Sequence, residues 1–140
     1  MTLKDIHCCV LIPTYNNQKT LRRVIDGVLA YSSGEDVIVI NDGSTDETVH
    51  ILAEYGSRIR VIHNGKNRGK GFSLRRGFKE AFALGYKNAI SIDSDGQHLP
   101  SDIPLFIEKA YQNLEELIKD WEQHENVYQE QFRQFFPFDV

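Results

Sequence analysis

"DVIVINDGSTDETVHILAEY", residues 36–55, is the stretch on which the fold turns. Val37 to Ile40 form an unbroken run of β-branched residues that ends on Asn41, Asp42 and Gly43. So short and fully apolar a run suits a strand buried on both faces, as in a parallel sheet. Ser44 to Tyr55 then opens on STDE, a helix-start pattern, and spaces Val49, Ile51, Leu52 and Tyr55 as a helix does. Strand, turn and helix in this order make up most of a βαβ unit.

The same unit recurs on either side. HCCVLIP (7–13), RIRVIH (58–63) and NAISID (88–93) read as three more short strands. Lys19 to Tyr31 puts Leu21, Val24, Ile25, Val28 and Leu29 on one helical face, and Phe72 to Leu84 does so with Leu74, Phe78, Ala81 and Phe82. LPSDIPLFIEKA starts a further helix, with Ser101 or Asp102 as cap and Pro104 in its first turn. Alternation of this kind predicts a doubly wound, mainly parallel α/β sheet over residues 1–113. Residues 114–140 differ in character: Leu114, Leu117, Ile118 and Trp121, then Tyr128, Phe132, Phe135 and Phe136, predict an amphipathic helical tail. That tail would pack on the sheet or on a second copy of the chain.

At 140 residues and 41% hydrophobic content, the chain suffices for one core. It has no apolar run long enough to span a membrane, and MTLKDIHCCVLIP lacks the pattern of a leader, so the expectation is a cytoplasmic protein. Cys8 and Cys9, adjacent in a strand, point to opposite faces and read as core thiols. The net charge of −4 is uneven. The tail carries seven acids against Lys119 and Arg133, whereas Arg58 to Lys87 holds nine basic residues and one acid, Glu80. The basic stretch suits an anionic ligand; no feature calls for nucleic acid.

In a doubly wound sheet ligands bind beyond the carboxyl ends of the strands. All four polar clusters fall there: PTYNN, NDGSTD, HNGKNRGKG and DSDGQH. Each alone has a plainer reading as a capped turn, a solvated basic loop or an acidic turn. GKNRGKG fails as a Walker loop, because position 64 is Asn64 and position 71 is Gly71; what remains is a flexible turn whose Arg68 and Lys70 can touch a diphosphate. Asp42 can accept the ring N–H of a uracil or guanine, and Asp46 suits the start of the next helix. If the fourth strand runs on, period-two geometry puts Asp93 and Asp95 on one side, and Gly96 lets Gln97 turn toward them. Those hard oxygen donors suit Mg²⁺ or Mn²⁺ that takes the rest of its shell from a substrate diphosphate.

Together, VLIPTYNN (10–17), VIVINDGSTDET (37–48), NRGKGFSLRRGF (67–78) and SIDSDGQHLPSDIP (91–104) resemble the N-terminal, nucleotide-sugar-binding half of family 2 inverting glycosyltransferases of the GT-A fold. The branch they most resemble is the polyprenyl-phosphate or dolichyl-phosphate hexosyltransferases, over about residues 6–112. The resemblance implies that Pro13, Thr14, Tyr15 and Asn16 border the nucleotide and that Asp42 holds the base. It implies that Arg68, Gly69 and Lys70 lie near ribose or diphosphate. Asp95 and Gln97 would ligate Mg²⁺ or Mn²⁺, with Asp93 on the metal, its water or the nucleotide. Where the family often reads D-D-G-S, this chain has Asn41-Asp42-Gly43-Ser44. The implied partners are a UDP- or GDP-sugar donor and a polyprenyl-phosphate or glycan acceptor. The family's catalytic domains normally continue well past the helix near Ser101, adding an acceptor surface and a carboxylate base; here no tail glutamate is assigned as base. A truncated, non-catalytic nucleotide-sugar-binding or dimerising module is the alternative, and a nucleotidyltransferase is disfavoured by the lack of a glycine- and lysine-rich loop after the first strand.

Overall fold

A computed structural model of the chain describes residues 2–97, 100–112 and 134–137. The strands are β1 (Cys8–Thr14), β2 (Val37–Asn41), β3 (Arg60–His63), β4 (Asn88–Ser91) and β5 (Gln134–Pro137). The α-helices are α1 (Leu21–Leu29), α2 (Thr48–Tyr55), α3 (Lys70–Ala83) and α4 (Ile103–Gln112). The sheet order is β3-β2-β1-β4-β5. β1 pairs in parallel with both β2 and β4, and β2 with β3. The chain therefore winds outward in one direction from β1 and then returns to β1's other side, which sets a topological switch point between β1 and β4.

The apolar runs are continuous because both faces of the sheet are covered. Val10, Ile12, Val37, Val39 and Ile90 pack with Val24, Ile25 and Val28 of α1, Ile51 and Leu52 of α2, and Ile103 and Ile107 of α4. On the opposite face Cys9, Leu11, Ile38, Ile40 and Ala89 pack with Ala81 of α3. Fully buried side chains such as Ile12, Ile25 and Ile38 each contribute about 1.5–3 kcal/mol. Helix α3 lies close to the sheet at Gly77, where a β-carbon would come within 2.9 Å of Ile40 Cδ1. Cys8 and Cys9 are free, buried and assigned to the two different cores. Burial pushes the Cys9 thiol up to about 12, with nearby Asp36 adding to the effect, so it stays protonated and unreactive at neutral pH.

Three local expectations are corrected. Helix α2 starts only at Thr48, and Val49, though within it, is 42% exposed because it lies off the face that Thr48, Ile51, Leu52 and Tyr55 bury. Its start is held by Asp46 Oδ1, which accepts the Thr48 N–H at 2.9 Å, while Ser44 and Thr45 bond to Asn16 instead. Strand β4 stops at Ser91, so strand alternation does not align Asp93 with Asp95; the turn after it does the positioning. Phe135 and Phe136 do not extend a helical stripe but lie in β5, antiparallel to β4 with Ala89 opposite Phe136 and Ile90 opposite Phe135. The rest of the expected tail helix, 114–133, lies outside the described residues. Among the described residues, no helix is long and apolar enough to cross a membrane.

Candidate functional site

The ends of β1, β2 and β4 and the start of α3 enclose a cleft of about 350 Å³ at the switch point. Its β1 wall is Pro13, Thr14, Tyr15 and Asn17. Thr14 ends the strand opposite Asn41 and accepts the Asp42 N–H through its carbonyl at 2.9 Å, which brings Asp42 beside it. The loop after β1 is fastened to the loop after β4. Asn17 Nδ2 donates to Ser94 Oγ at 2.6 Å, Ser94 Oγ donates to Thr14 Oγ1 at 3.0 Å, and Thr20 Oγ1 donates to the Ser94 carbonyl at 2.5 Å. Asn16, at φ 51°, turns away to the loop after β2: its Oδ1 accepts the Thr45 N–H at 2.8 Å and the Asp46 N–H at 3.3 Å.

Asp42 is 5% exposed and its carboxylate organises the basic loop. Oδ1 accepts the Arg68 N–H at 2.7 Å and Asn64 Nδ2 at 2.9 Å, while Oδ2 accepts the Gly69 N–H at 2.9 Å. Asn64, equally buried, spends its amide fully: Nδ2 also donates to Ser73 Oγ, and Oδ1 accepts Arg76 Nη1, both at 2.8–2.9 Å. Gly43, at φ 70°, is required by this packing, since a β-carbon there would sit 2.4 Å from the Asn67 nitrogen and the Lys66 carbonyl carbon. Asn41 completes the arrangement. Its Oδ1 accepts the Ser44 N–H at 3.1 Å, which leaves Nδ2 to donate to His63 Nδ1 at 3.1 Å.

The facing wall comes from β4 and α3. Lys70, the first residue of α3, donates from Nζ to Asp93 Oδ1 as an ion pair whose side chains are 36% and 10% exposed. Asp95 accepts the Gln97 N–H on Oδ1 at 3.0 Å in a tight turn that needs Gly96 at φ 81°. Arg23 of α1 packs its guanidinium against that glycine.

Of the residues expected from sequence, Pro13, Thr14, Tyr15, Asp42, Gly69, Lys70, Asp93 and Asp95 line one cleft. Asn16, Arg68 and Gln97 are exposed and are not among its lining; the Arg68 guanidinium lies 4.5 Å from the centroid of the Phe72 ring. Sequence reasoning missed Asn17, Asn64, Asn67, Ser73 and Ser94. Their available signal was position: Asn64 directly follows β3, at the same sheet edge as Asp42, and Asn17 ends the first polar cluster.

Among the described residues no three His, Cys, Asp or Glu side chains converge. Apart from Asp42, which the β3–α3 loop engages, the cleft offers two carboxylates, Asp93 and Asp95. That donor set fits a hard divalent ion completed by water and substrate phosphates, not a metal held by protein alone.

The chain matches the model of Glycosyl transferase family 2 over residues 9–121. It is 27% identical over 124 residues to a UDP-N-acetylglucosamine–dolichyl-phosphate N-acetylglucosaminyltransferase of Methanococcus voltae, covering 78% of this chain and 49% of that protein. It is 33% identical over 120 residues to the dolichyl-phosphate beta-glucosyltransferase of Homo sapiens, covering 76% and 36%. Among solved structures, glucosyl-3-phosphoglycerate synthase from Mycobacterium tuberculosis in complex with Mn²⁺, UDP and glucosyl-3-phosphoglycerate superposes with a TM-score of 0.56 at 26% identity, covering 73% and 38%. The chain spans half or less of the length of each of these relatives. With the parallel sheet, the switch-point cleft and the family match over most of its length, the chain belongs to glycosyl transferase family 2.

Proposed function

We propose that this chain is the donor-binding half of an inverting, metal-dependent glycosyltransferase that takes a hexose from a UDP- or GDP-sugar. The acceptor is a polyprenyl phosphate or a glycan, with the lipid phosphate preferred because relatives named for dolichyl-phosphate transfer match over three quarters of the chain. On that acceptor the site would work at the cytoplasmic face of a membrane. The observation that carries the proposal is the cleft itself, where Asp42, which holds the Arg68 and Gly69 N–H groups, lines one space with the Lys70–Asp93 ion pair and Asp95.

Pro13, Thr14 and Tyr15 border the nucleotide, and Asp42 accepts the ring N–H of the base. Gly69 and Lys70 meet the diphosphate at the N-terminus of α3, where backbone N–H groups and the helix dipole favour negative charge. Arg68, on the same loop, adds positive charge near the ribose side. Asp93 and Asp95, with Gln97 of the same turn as third oxygen donor, would hold Mg²⁺ or Mn²⁺, which supplies charge stabilisation to the leaving diphosphate. A phosphate acceptor arrives ionised and needs little help from a general base.

A second reading, a nucleotide-sugar-binding or dimerising module without turnover, rests on the same donor cleft. Calorimetric titration with UDP-glucose and GDP-mannose, with and without Mn²⁺, tests the shared donor site; absence of binding by both sugars overturns both readings. Nucleotide release with polyprenyl phosphate present then separates them: release identifies the transferase, and binding without release identifies the module. Sedimentation at high concentration reads whether the module pairs through its tail.

A further inference from the structure

We propose that Lys70 is an internal counter-cation for Asp93, displaced by a divalent ion only when a nucleoside diphosphate draws its ammonium away, so that metal and diphosphate bind with positive coupling. The inference rests on the donor-site reading above and concerns how that site is loaded.

The Asp93 side chain is only 10% exposed, a setting in which a carboxylate needs a counter-charge. Lys70 Nζ meets that need by bonding Asp93 Oδ1. A divalent cation approaching the same oxygen meets like charge at contact distance, and the ammonium lowers the negative potential that would attract it. In the protein alone, Asp93 is thus a poor metal ligand although its chemistry suits one. Lysine differs from a fixed cation in that its charge rides on a flexible four-carbon stem. Lys70 anchors that stem on the first residue of α3, is 36% exposed along its side chain, and lines the same cleft as Asp95 and Gly69. A diphosphate entering there presents several anionic oxygens within the reach of the stem. Transfer of the ammonium from carboxylate to phosphate would leave Asp93 available as a ligand for the divalent ion, whose charge would offset both carboxylate and phosphate. No bond is made or broken; one ion pair exchanges for two. Binding linkage makes the effect reciprocal: the factor by which UDP tightens Mn²⁺ is the factor by which Mn²⁺ tightens UDP.

The test titrates Mn²⁺ into the full chain and follows the electron paramagnetic resonance signal of the free aquo ion, alone and with saturating UDP or GDP. In the unaltered protein the nucleotide is expected to tighten Mn²⁺ by at least about tenfold, the size of effect one adjacent charge has on a carboxylate. Lys70→Met is expected to bind Mn²⁺ alone about tenfold more tightly than the unaltered chain, with the nucleotide's tightening effect reduced by a similar factor. Lys70→Gln, the second neutral variant, is expected to move both quantities the same way, and Lys70→Arg to keep the weak binding of Mn²⁺ alone. Far-UV circular dichroism checks that each variant is folded. If the neutral variants bind Mn²⁺ alone no more tightly while nucleotide and Mn²⁺ still couple in the unaltered chain, the counter-cation role is overturned and the donor site stands. If the unaltered chain binds neither UDP nor GDP, with or without Mn²⁺, both fall.

Discussion

Asp42 and Asp95 look alike in sequence, each an acid just past a strand and directly before a glycine, yet the structure uses them in opposite ways. Asp42 is 5% exposed and takes three N–H donors from the β3–α3 loop, so most of its accepting capacity holds the protein's own loop and only Oδ2 keeps room for a further donor such as a base. Asp95 is partly exposed, gives Oδ1 to a local turn, and lines the cleft. One acid builds the wall and the other stands on it. What separates them is the length of the loop that reaches each: the residues from Asn64 to Gly69 fold back over Asp42, whereas the turn at Ser94 to Gln97 is too short to cover Asp95.

Substitution at the first site is expected to have the largest effect on stability. Asp42→Ala strands the Arg68 N–H and one amide proton of Asn64 and leaves the Gly69 N–H only its longer bond to Asn67 Oδ1, and is expected to cost about 4 kcal/mol in urea unfolding. Hydrogen exchange at Arg68 and Gly69 should rise with it; an unchanged midpoint would show that the loop is held by something else. Gly43→Ala follows at about 3 kcal/mol, since a β-carbon must adopt a positive φ and displace the backbone at Lys66 and Asn67. Asn64→Ala comes next at about 2 kcal/mol, because Asp42 keeps its two backbone donors when the amide is lost. Its companion readout is the affinity for UDP or GDP, which should weaken severalfold as the loop loosens.

The difference between the two acids also explains what was legible in the sequence. Runs such as Val37–Ile40 and the helical spacing of Leu21, Val24, Ile25 and Val28 encode burial directly, so the strands and helices of the sheet could be read without the structure. The cleft was legible in outline because the topology sends the four polar clusters to one edge. The division of labour within it was not. Whether a carboxylate is saturated depends on Asn64, held in turn by Ser73, both more than twenty residues away in stretches whose sequence does not say which side chain turns back to Asp42. β5 failed for a related reason: QFFP fits a helical stripe with Tyr128 and Phe132 as well as it fits a strand, and only the unpaired side of β4 decides the matter. Pro137 is tolerated at the end of such an edge strand, where its missing N–H is no loss to the ladder.

The smallest expected stability effect falls on the second acid. Asp95→Ala removes one bond to the Gln97 N–H, a group on an exposed residue that water can serve in its place. Its cost should stay within about 0.5 kcal/mol, as for other surface substitutions. The same change removes one of the two carboxylates proposed to hold the metal, so Mn²⁺-dependent binding of a UDP- or GDP-sugar should weaken by more than about tenfold, since each ligand oxygen matters when the protein supplies so few. Measured side by side, Asp42→Ala would lower the urea midpoint and Asp95→Ala would leave it in place while abolishing the benefit of metal. A stable Asp95→Ala protein that keeps its metal-dependent binding would mean that the metal sits elsewhere, and the contrast between wall and ligand would then have to be drawn at Asp93, whose carboxylate already shares its charge with Lys70.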